Sequence, residues 1–454
     1  MTGINVDLAL AKKYQRPGPR YTSYPPAPHF KSDIDFAEAM KIFSDQPPGP
    51  VSLYFHIPFC DSMCWFCACT NLVRSVRGKS SPYLKLIEEE LKLKASLMNE
   101  GLKVAQLHWG GGSPSFLLPD EIRMLGEMIH NNFDIPDRIE AGVEIDPRDL
   151  SLDQISAFRE VGFNRVSLGV QDNNSEVQKA VNRIQPYELT AKTVENFRSA
   201  GFHSVNIDLI YGLPFQTVKS FEKTLNEIIA LSPDRFAVFN FAYVPWMKAS
   251  QKIIKEEALP SAETKLQILK LTVEKLTSEG YIYIGMDHFA KETDEMAIAQ
   301  KNGMLQRNFQ GYSPFAGDVI LGFGVSSISQ SSGAFLQNER DLPNYSSRIE
   351  KKEIPFLKGY ILTNDDRIRR AVIMRLMCDL KLNFSALSKA LNIDFRKYFE
   401  DEIEALNTFE EDGLLVRNEN GFDITDTGRL FVRNIAMLFD AHLSKGEGRY
   451  SKTV

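Results

Sequence analysis

Four of the chain's five cysteines stand within ten residues, in His56-Ile-Pro-Phe-Cys60-Asp-Ser-Met-Cys64-Trp-Phe-Cys67-Ala-Cys69. Thiolates are soft ligands that suit zinc or iron–sulfur clusters. Structural zinc takes four ligands, often as two close pairs with a longer gap between them. There is no second pair here, and placing all four of these sulfurs on one tetrahedral ion would strain the Cys67-Ala-Cys69 turn. A cubane cluster has four irons and is usually held by four thiolates. The spacing CxxxCxxC offers three, from Cys60, Cys64 and Cys67, and leaves one iron open to a small molecule. That is the arrangement of a reactive cluster rather than of an electron carrier. Cys378, alone in the apolar stretch 371–378, reads as a core residue.

Such a loop needs a scaffold. Short apolar runs predict strands over 51–57, 104–109, 141–145, 165–170, 205–210 and 235–240. Amphipathic stretches such as 83–98 and 189–200 predict helices between them. Strand–helix alternation of this kind gives a parallel sheet with helical crossovers. Six units can close most of a barrel, whose reactive groups gather at the C-terminal strand ends. The cysteines follow the first strand and Gly110-Gly-Gly112 the second, while Glu144, Gln171 and Asp208 stand at the ends of later ones. Residues 1–50 read as irregular, with Pro17–Pro25 unable to hold a helix. Beyond about 365 the pattern turns helical, with a helix expected over 396–411 and a hairpin over 414–425 turning at Asn420-Gly421. Helix plus hairpin is a winged-helix pattern. Its mixture of acidic and basic residues favours an accessory cap over a DNA-binding role.

At 454 residues, 43% hydrophobic and 25% charged, the chain has room for two or three domains. A net charge of −6 argues against broad binding to nucleic acid or an anionic membrane surface. No apolar run approaches the roughly 18 residues of a membrane span, and the first 13 residues lack a signal peptide's apolar stretch. A cytoplasmic location is expected. There, clustered cysteines read as metal or redox chemistry rather than disulfides.

CxxxCxxC with an aromatic residue before the third cysteine, followed by Gly110-Gly-Gly112-Ser-Pro114, resembles the radical S-adenosylmethionine (SAM) superfamily. In that superfamily the open iron binds the amino and carboxylate groups of SAM. One electron then cleaves the sulfonium to a 5′-deoxyadenosyl radical. The resemblance spans nearly the whole chain. Pro19-Arg-Tyr-Thr-Ser-Tyr-Pro25, His56–Cys60, Cys69, Gly169-Val-Gln171, Val181-Asn-Arg183, Asp208–Pro214, Met286-Asp-His-Phe289, Arg307–Tyr312 and Arg433-Asn-Ile-Ala-Met437 are similar to the oxygen-independent coproporphyrinogen III oxidase family.

The resemblance implies a partial (β/α)6 TIM-like radical SAM barrel over 51–290 and a substrate-covering N-terminal extension over 1–50. It also implies a barrel-associated connecting region over 291–364 and a mainly helical, winged-helix-like C-terminal domain over 365–454. The implied reaction is oxidative decarboxylation of two propionates of coproporphyrinogen III to vinyls, giving protoporphyrinogen IX in haem biosynthesis. The implied cofactors are one 4Fe–4S cluster on Cys60, Cys64 and Cys67, and two SAM molecules. Tyr54, Gly111, Glu144 and Ile328 would contact the cluster-bound SAM; Phe66, Gly112, Ser113, Gln171, Arg183, Asp208 and Ala242 would contact the second. Cys69, Tyr54, Glu144 and Arg183 form the expected catalytic set. A reducing donor such as flavodoxin or ferredoxin, an unknown electron acceptor and a monomeric state complete the expectation.

A porphyrinogen with four carboxylates needs a cationic patch in this acidic protein. Arg20, Arg307, Arg367, Arg369 and Arg370 are candidates, as are Tyr21 and Tyr24 for contacts to the macrocycle and Phe309 and Gln310 near the site. His56 and His288, in apolar strands, read as hydrogen-bonded core residues. Ala68 stands where the family often has Gly, Ser113 and Ser115 where Thr is common, and Tyr243 where His is common, which touches the geometry of the second SAM. The alternative is a haem-chaperone-like or other porphyrin-acting radical SAM protein. The chaperone branch typically lacks the N-terminal tyrosine segment and a cysteine at position 69.

Overall fold

The computed structural model describes residues 4, 6–74, 76–95, 103–136, 139–314, 319–443, 450 and 453. The chain folds as two units, neither continuous in sequence. One comprises Phe30–Pro260 and Phe315–Ile361; the other comprises Met1–His29, Ser261–Pro314 and Leu362–Val454.

The first unit carries the strand–helix alternation. Its strands are β1 (Pro50–Ile57), β2 (Lys103–Gly111), β3 (Glu140–Ile145), β4 (Arg165–Gln171), β5 (Ser204–Tyr211), β6 (Arg235–Asn240), β7 (Val319–Phe323), β8 (Ile328–Gln330), β9 (Ala334–Asn338) and β10 (Phe356–Ile361). Helices α1 (Ser81–Ala95), α2 (Pro119–Asn132), α3 (Leu152–Val161), α4 (Tyr187–Ser199) and α5 (Val218–Ala230) cross over between the first six strands. These ranges agree with the sequence expectation; the end of the helix expected over 83–98 lies outside the described residues. The strands run β10-β9-β8-β7-β1-β2-β3-β4-β5-β6. All neighbours from β7 to β6 are parallel, and β7 to β10 form an antiparallel meander. The fold is therefore mixed α/β with a large, mostly parallel sheet. Sequence periodicity did not reveal that β7, more than 250 residues downstream, pairs with β1 through Val51–Val319 to Phe55–Phe323.

The period of two along each strand separates two faces. Leu53, Phe55 and Ile57, Leu107 and Trp109, Leu168, and Ile207 and Leu209 alternate along their strands and are fully buried. Each such side chain contributes roughly 1.5–3 kcal/mol. Trp109 sits edge-on to Phe163 with ring centroids 4.9 Å apart, and truncating it to Ala is expected to cost about 3–5 kcal/mol. The intervening residues are polar, and parallel register sets them side by side: Tyr54 opposite His108, Glu144 opposite Ser167, Ser167 opposite Asn206. Ser52 bonds Gln106 at 2.9 Å, and Gln106 bonds Glu140 at 3.3 Å. The sheet thus carries a polar interior face.

The second unit is mainly helical. Its longest helices span Ala262–Ser278 and Asn364–Asp379. Cys378 is fully buried among Ile284, Ala290, Leu305 and Tyr312, as a core cysteine should be. The segment 396–411 is not one helix. It breaks at Phe399 and Leu406 into Phe395–Tyr398, Glu400–Ala405 and Asn407–Glu411, and both breaking residues are buried. The hairpin forms between Leu415–Asn418 and Gly421–Ile424. Gly421 begins the returning strand, where a Cβ would collide with the Leu382 carbonyl; close approach rather than the turn requires it. The described residues between 4 and 50 are less irregular than expected. Asp7 caps Leu8–Tyr14, and Asp35 caps Phe36–Ser44. No described helix is long and apolar enough to cross a membrane.

Candidate active site

The cysteine loop leaves β1 through Pro58 and is pinned from several sides. Leu72 N–H donates to Pro58 O at 2.6 Å, Arg74 N–H to Cys60 O at 2.9 Å and Trp65 N–H to Val181 O at 3.0 Å. Asn182 Nδ2 donates to Met63 O at 2.8 Å. N–H donors also reach the sulfurs. Arg148 and Arg183 approach Cys64 Sγ at 3.4 and 3.5 Å, and the Cys69 amide and Asn71 Nδ2 each approach Cys67 Sγ at 3.4 Å. Burial pushes the Cys60 thiol up to about 12. A hydrogen bond from the Cys69 side chain, helped by Lys248 and Arg183, brings Cys67 down to about 6. Cys69 itself is accessible to solvent. Among the described residues no three His, Cys, Asp or Glu side chains gather about one point that a single metal ion would fill. A cubane cluster asks for something else, one thiolate on each of three irons.

The strand ends supply the surrounding polar groups. Glu144, ending β3, accepts from His108 Nε2 and from the Gly111 amide, both at 3.1 Å. Burial works to raise its carboxyl, but His108 and the Gly111 N–H outweigh it and hold it below the ordinary value. Tyr54 stacks on His108 with ring centroids 5.9 Å apart, and its hydroxyl bonds His56 Nδ1 at 3.0 Å. Gly111 has φ +115°, and a Cβ there would come within 2.5 Å of the His56 ring, so only glycine brings this backbone in so closely. Ser113 Oγ accepts from the Asp146 amide at 3.0 Å and bonds Ser115 at 2.7 Å, joining the loops after β2 and β3.

Beside Cys64, Asp146 binds Arg148 at 2.6 Å and Arg183 at 3.0 Å, and Arg183 Nη2 donates to Gly169 O at 2.5 Å. Gln171 takes φ +70°, unusual for a non-glycine residue. Gln171 Oε1 and Arg183 Nε are buried without a hydrogen-bond partner. Asp208 accepts from Ser167 Oγ at 3.0 Å and Asn206 Nδ2 at 2.7 Å. Burial, and then the nearby Glu144 charge, push its carboxyl up to about 7. Phe66 and Ala242 are linked through Gln251, and Ile328 opens β8 against Gly322.

All the residues singled out for cluster and SAM lie in this one unit. Tyr243 turns its hydroxyl to the Ile254 carbonyl at 3.2 Å and packs on the apolar group of Phe241, Ile254 and Phe66. His56 is hydrogen-bonded through both ring nitrogens, the second to Thr70 O at 2.8 Å. Sequence reading missed His108, Asp146, Arg148 and Gln251. The charged alternation Glu144-Ile-Asp146-Pro-Arg148 at a strand end was the available signal for two of them.

Within the other unit, Arg20 pairs with Asp287, and Arg369 with Asp365 and with Glu402 at 2.9 Å. Tyr21 and Tyr24 are buried, one donating to Asp440 at 2.9 Å and the other accepting from the Ala441 amide at 3.0 Å. Their faces are therefore not free platforms for a macrocycle. Arg307 stacks over Tyr312 at 4.5 Å and leaves Nε and Nη1 buried and unpartnered, as are both amide atoms of Gln310.

A (strand–helix) sheet with a three-cysteine loop after its first strand defines a radical SAM protein, and residues 54–228 match the model of the Radical SAM superfamily. Residues 362–431 match the HemN C-terminal domain. The chain is 45% identical to the oxygen-independent coproporphyrinogen III oxidase of Synechocystis over 97% of its length and 96% of that protein's. It is 43% identical to the Escherichia coli protein of the same name over 97% and 96%. A solved E. coli coproporphyrinogen III oxidase, described as a radical SAM enzyme, superposes with a TM-score of 0.92 at 42% identity, covering 97% of this chain and all of that one. The chain belongs to the oxygen-independent coproporphyrinogen III oxidase family. Membership brings a 4Fe–4S cluster and SAM, and the residues present fit them: a pinned loop with three thiolates and N–H donors at the sulfurs, with the unpartnered Gln171 Oε1 and Arg183 Nε beside it.

Proposed function

We propose that this chain is a radical SAM enzyme that converts two propionates of coproporphyrinogen III to vinyls without oxygen, giving protoporphyrinogen IX in haem biosynthesis. The near full-length likeness to relatives of that name carries the reading. Cys60, Cys64 and Cys67 hold the cluster. Tyr54, Gly111, Glu144 and Ile328 contact the SAM on it, and Phe66, Gly112, Ser113, Gln171, Arg183, Asp208 and Ala242 contact a second SAM. Bound there, cluster and SAM would supply one-electron sulfonium cleavage and, through it, hydrogen abstraction at a propionate β-carbon, each decarboxylation releasing carbon dioxide and one electron to an acceptor.

The chain's own residues bind and orient. Glu144, held ionised by its donors, accepts from an ammonium or a ribose hydroxyl. Arg183 offers Nε to a carboxylate while Asp146 and the Gly169 carbonyl fix its plane. Asp208, near neutrality in its titration, donates or accepts at a ribose. Cys69 lines the site without holding the cluster. We read β1–β6 as an open (β/α)6 barrel, and the hairpin with its helices as a winged-helix-like accessory domain. The enzyme works as a cytosolic monomer fed by flavodoxin or ferredoxin.

The test is an anaerobic assay with reconstituted protein, SAM, a strong reductant and coproporphyrinogen III. Two 5′-deoxyadenosines per protoporphyrinogen are expected. Deoxyadenosine without protoporphyrinogen in the presence of added electron acceptors would point to a haem-chaperone-like role. No deoxyadenosine from an intact, reducible cluster would reject the reading.

A further inference from the structure

Gln251 lies in the short helix Ala249–Ile253 that follows β6, far in sequence from the cysteine loop, and is completely buried. Its amide makes three hydrogen bonds to three separate backbone groups. Nε2 donates to Phe66 O at 3.0 Å and to Ala242 O at 3.2 Å, and Oε1 accepts from the Val244 amide at 2.6 Å. Both N–H donors are used, and no other side chain of similar length supplies two donors and an acceptor at one end.

The Phe66 carbonyl belongs to the same planar peptide as the Cys67 amide, and that amide donates to Cys64 O at 3.1 Å. The peptide that leads into Cys67 is therefore held at both edges, by Cys64 within the loop and by Gln251 from outside. The Ala242 carbonyl and Val244 amide are the corresponding edges of the turn that leaves β6. A second side chain of the same helical turn reinforces the link: Lys248 Nζ donates to Cys69 O at 3.3 Å.

We propose that Gln251 is a positioning residue that couples the direction of the Cys67 thiolate to the backbone at Ala242. This rests on the reading of Cys67 as a cluster ligand and of Phe66 and Ala242 as contacts of the second SAM. Through this one amide, a displacement of the β6 turn moves the peptide beside Cys67, and the reverse. A buried carbonyl deprived of its donor is costly, so the two segments are held together rather than merely adjacent.

The proposal is tested first on cluster-free protein by hydrogen–deuterium exchange, which depends on neither cluster nor substrate. Gln251→Met removes all three bonds. Peptides covering 60–72 and 240–246 are expected to exchange about tenfold faster, the loss of roughly one buried hydrogen bond, with 104–109 unchanged. Gln251→Glu keeps the acceptor for the Val244 amide but loses the paired donors. It is expected to free 60–72 while leaving Val244 protected, and it stands as the second variant if the first is insoluble. Faster exchange confined to 240–246 in either variant would overturn the coupling, as would no change in 60–72. In reconstituted protein, the reduced cluster's electron paramagnetic resonance signal on adding SAM is expected to differ from wild type, with about a tenfold higher KM for SAM and unchanged iron content. An unaltered signal and KM would likewise overturn it. Absence of protoporphyrinogen from the wild type alone would instead count against the function above.

Discussion

The Tyr54 hydroxyl lies 3.0 Å from His56 Nδ1, and the direction of that bond is settled by the other side of the ring. Nε2 is 2.8 Å from the Thr70 carbonyl, which only accepts. Nε2 therefore carries the hydrogen, Nδ1 accepts, and Tyr54 donates. Burial lowers the affinity of His56 for a second proton. The imidazole is thus a neutral strut between the strand-one phenol and the end of the cysteine loop.

Nitrogen NMR of labelled histidine in the cluster-free protein should show His56 as the Nε2–H tautomer and still neutral below pH 6.5, its ordinary midpoint. The unfolded chain takes up a proton there that the folded chain refuses, so this group's contribution to stability is full above 6.5 and falls as pH drops below it. A His56 that titrates normally would refute the assignment.

Asp208 should titrate near pH 7 in the absence of SAM. Its folded value lies above the unfolded 3.8, so its contribution to stability is full below 3.8 and is lost as pH rises toward 7. Asp208→Asn should remove that slope from the pH profile of cluster-free unfolding. Glu144→Gln should shift the midpoint downward, because the Glu144 charge is one of the causes that raise it. A profile unchanged by both variants would contradict the coupling.

Cys60→Ala, Cys64→Ala and Cys67→Ala are each expected to abolish cluster assembly, read as bound iron and sulfide. Cys69→Ala is expected to keep most of the cluster and lose turnover. Complete loss of iron in Cys69→Ala would make it a ligand, and an intact cluster in any of the other three would remove that residue from the set.

Glu90 and Lys94 form a fully buried ion pair at 2.7 Å. Glu90 also accepts from Tyr345 at 2.6 Å and the Gly324 amide at 2.7 Å, while Lys94 donates to Gly322 O at 2.5 Å. The pair ties α1 to the end of β7 and to the turn that leads into β8, which Ile328 opens. Lys94→Met leaves a carboxylate buried without its partner and should cost about 3–5 kcal/mol. Calorimetry on the cluster-free protein would measure it, and replacing both residues by apolar ones should cost less than either change alone.

The strand framework and the cysteine loop of the candidate site are legible in the sequence alone. The spacing of Cys60, Cys64 and Cys67 could point to a three-thiolate cluster because ligand number and loop length are local properties of residues 60–67. Periodicity located β1–β6 because a two-sided sheet imprints a period of two on each strand. By the same means Glu144 and Gln171 could be placed at strand ends, whereas Asp208 lies within β5, three residues before its end. What periodicity lacks is register and partner. That β7 pairs with β1, that Tyr54 meets His108 and Ser167 meets Asn206, and that Gln251 reaches Phe66 across 185 residues are decided by parallel pairing and loop closure, in which no local signal says who lies alongside whom. Tyr21 and Tyr24 show the same limit from the other direction. Their residue type suits a ring-binding platform, but burial against Asp440 and Ala441 depends on contacts more than 400 residues away, and only the tertiary structure supplies them.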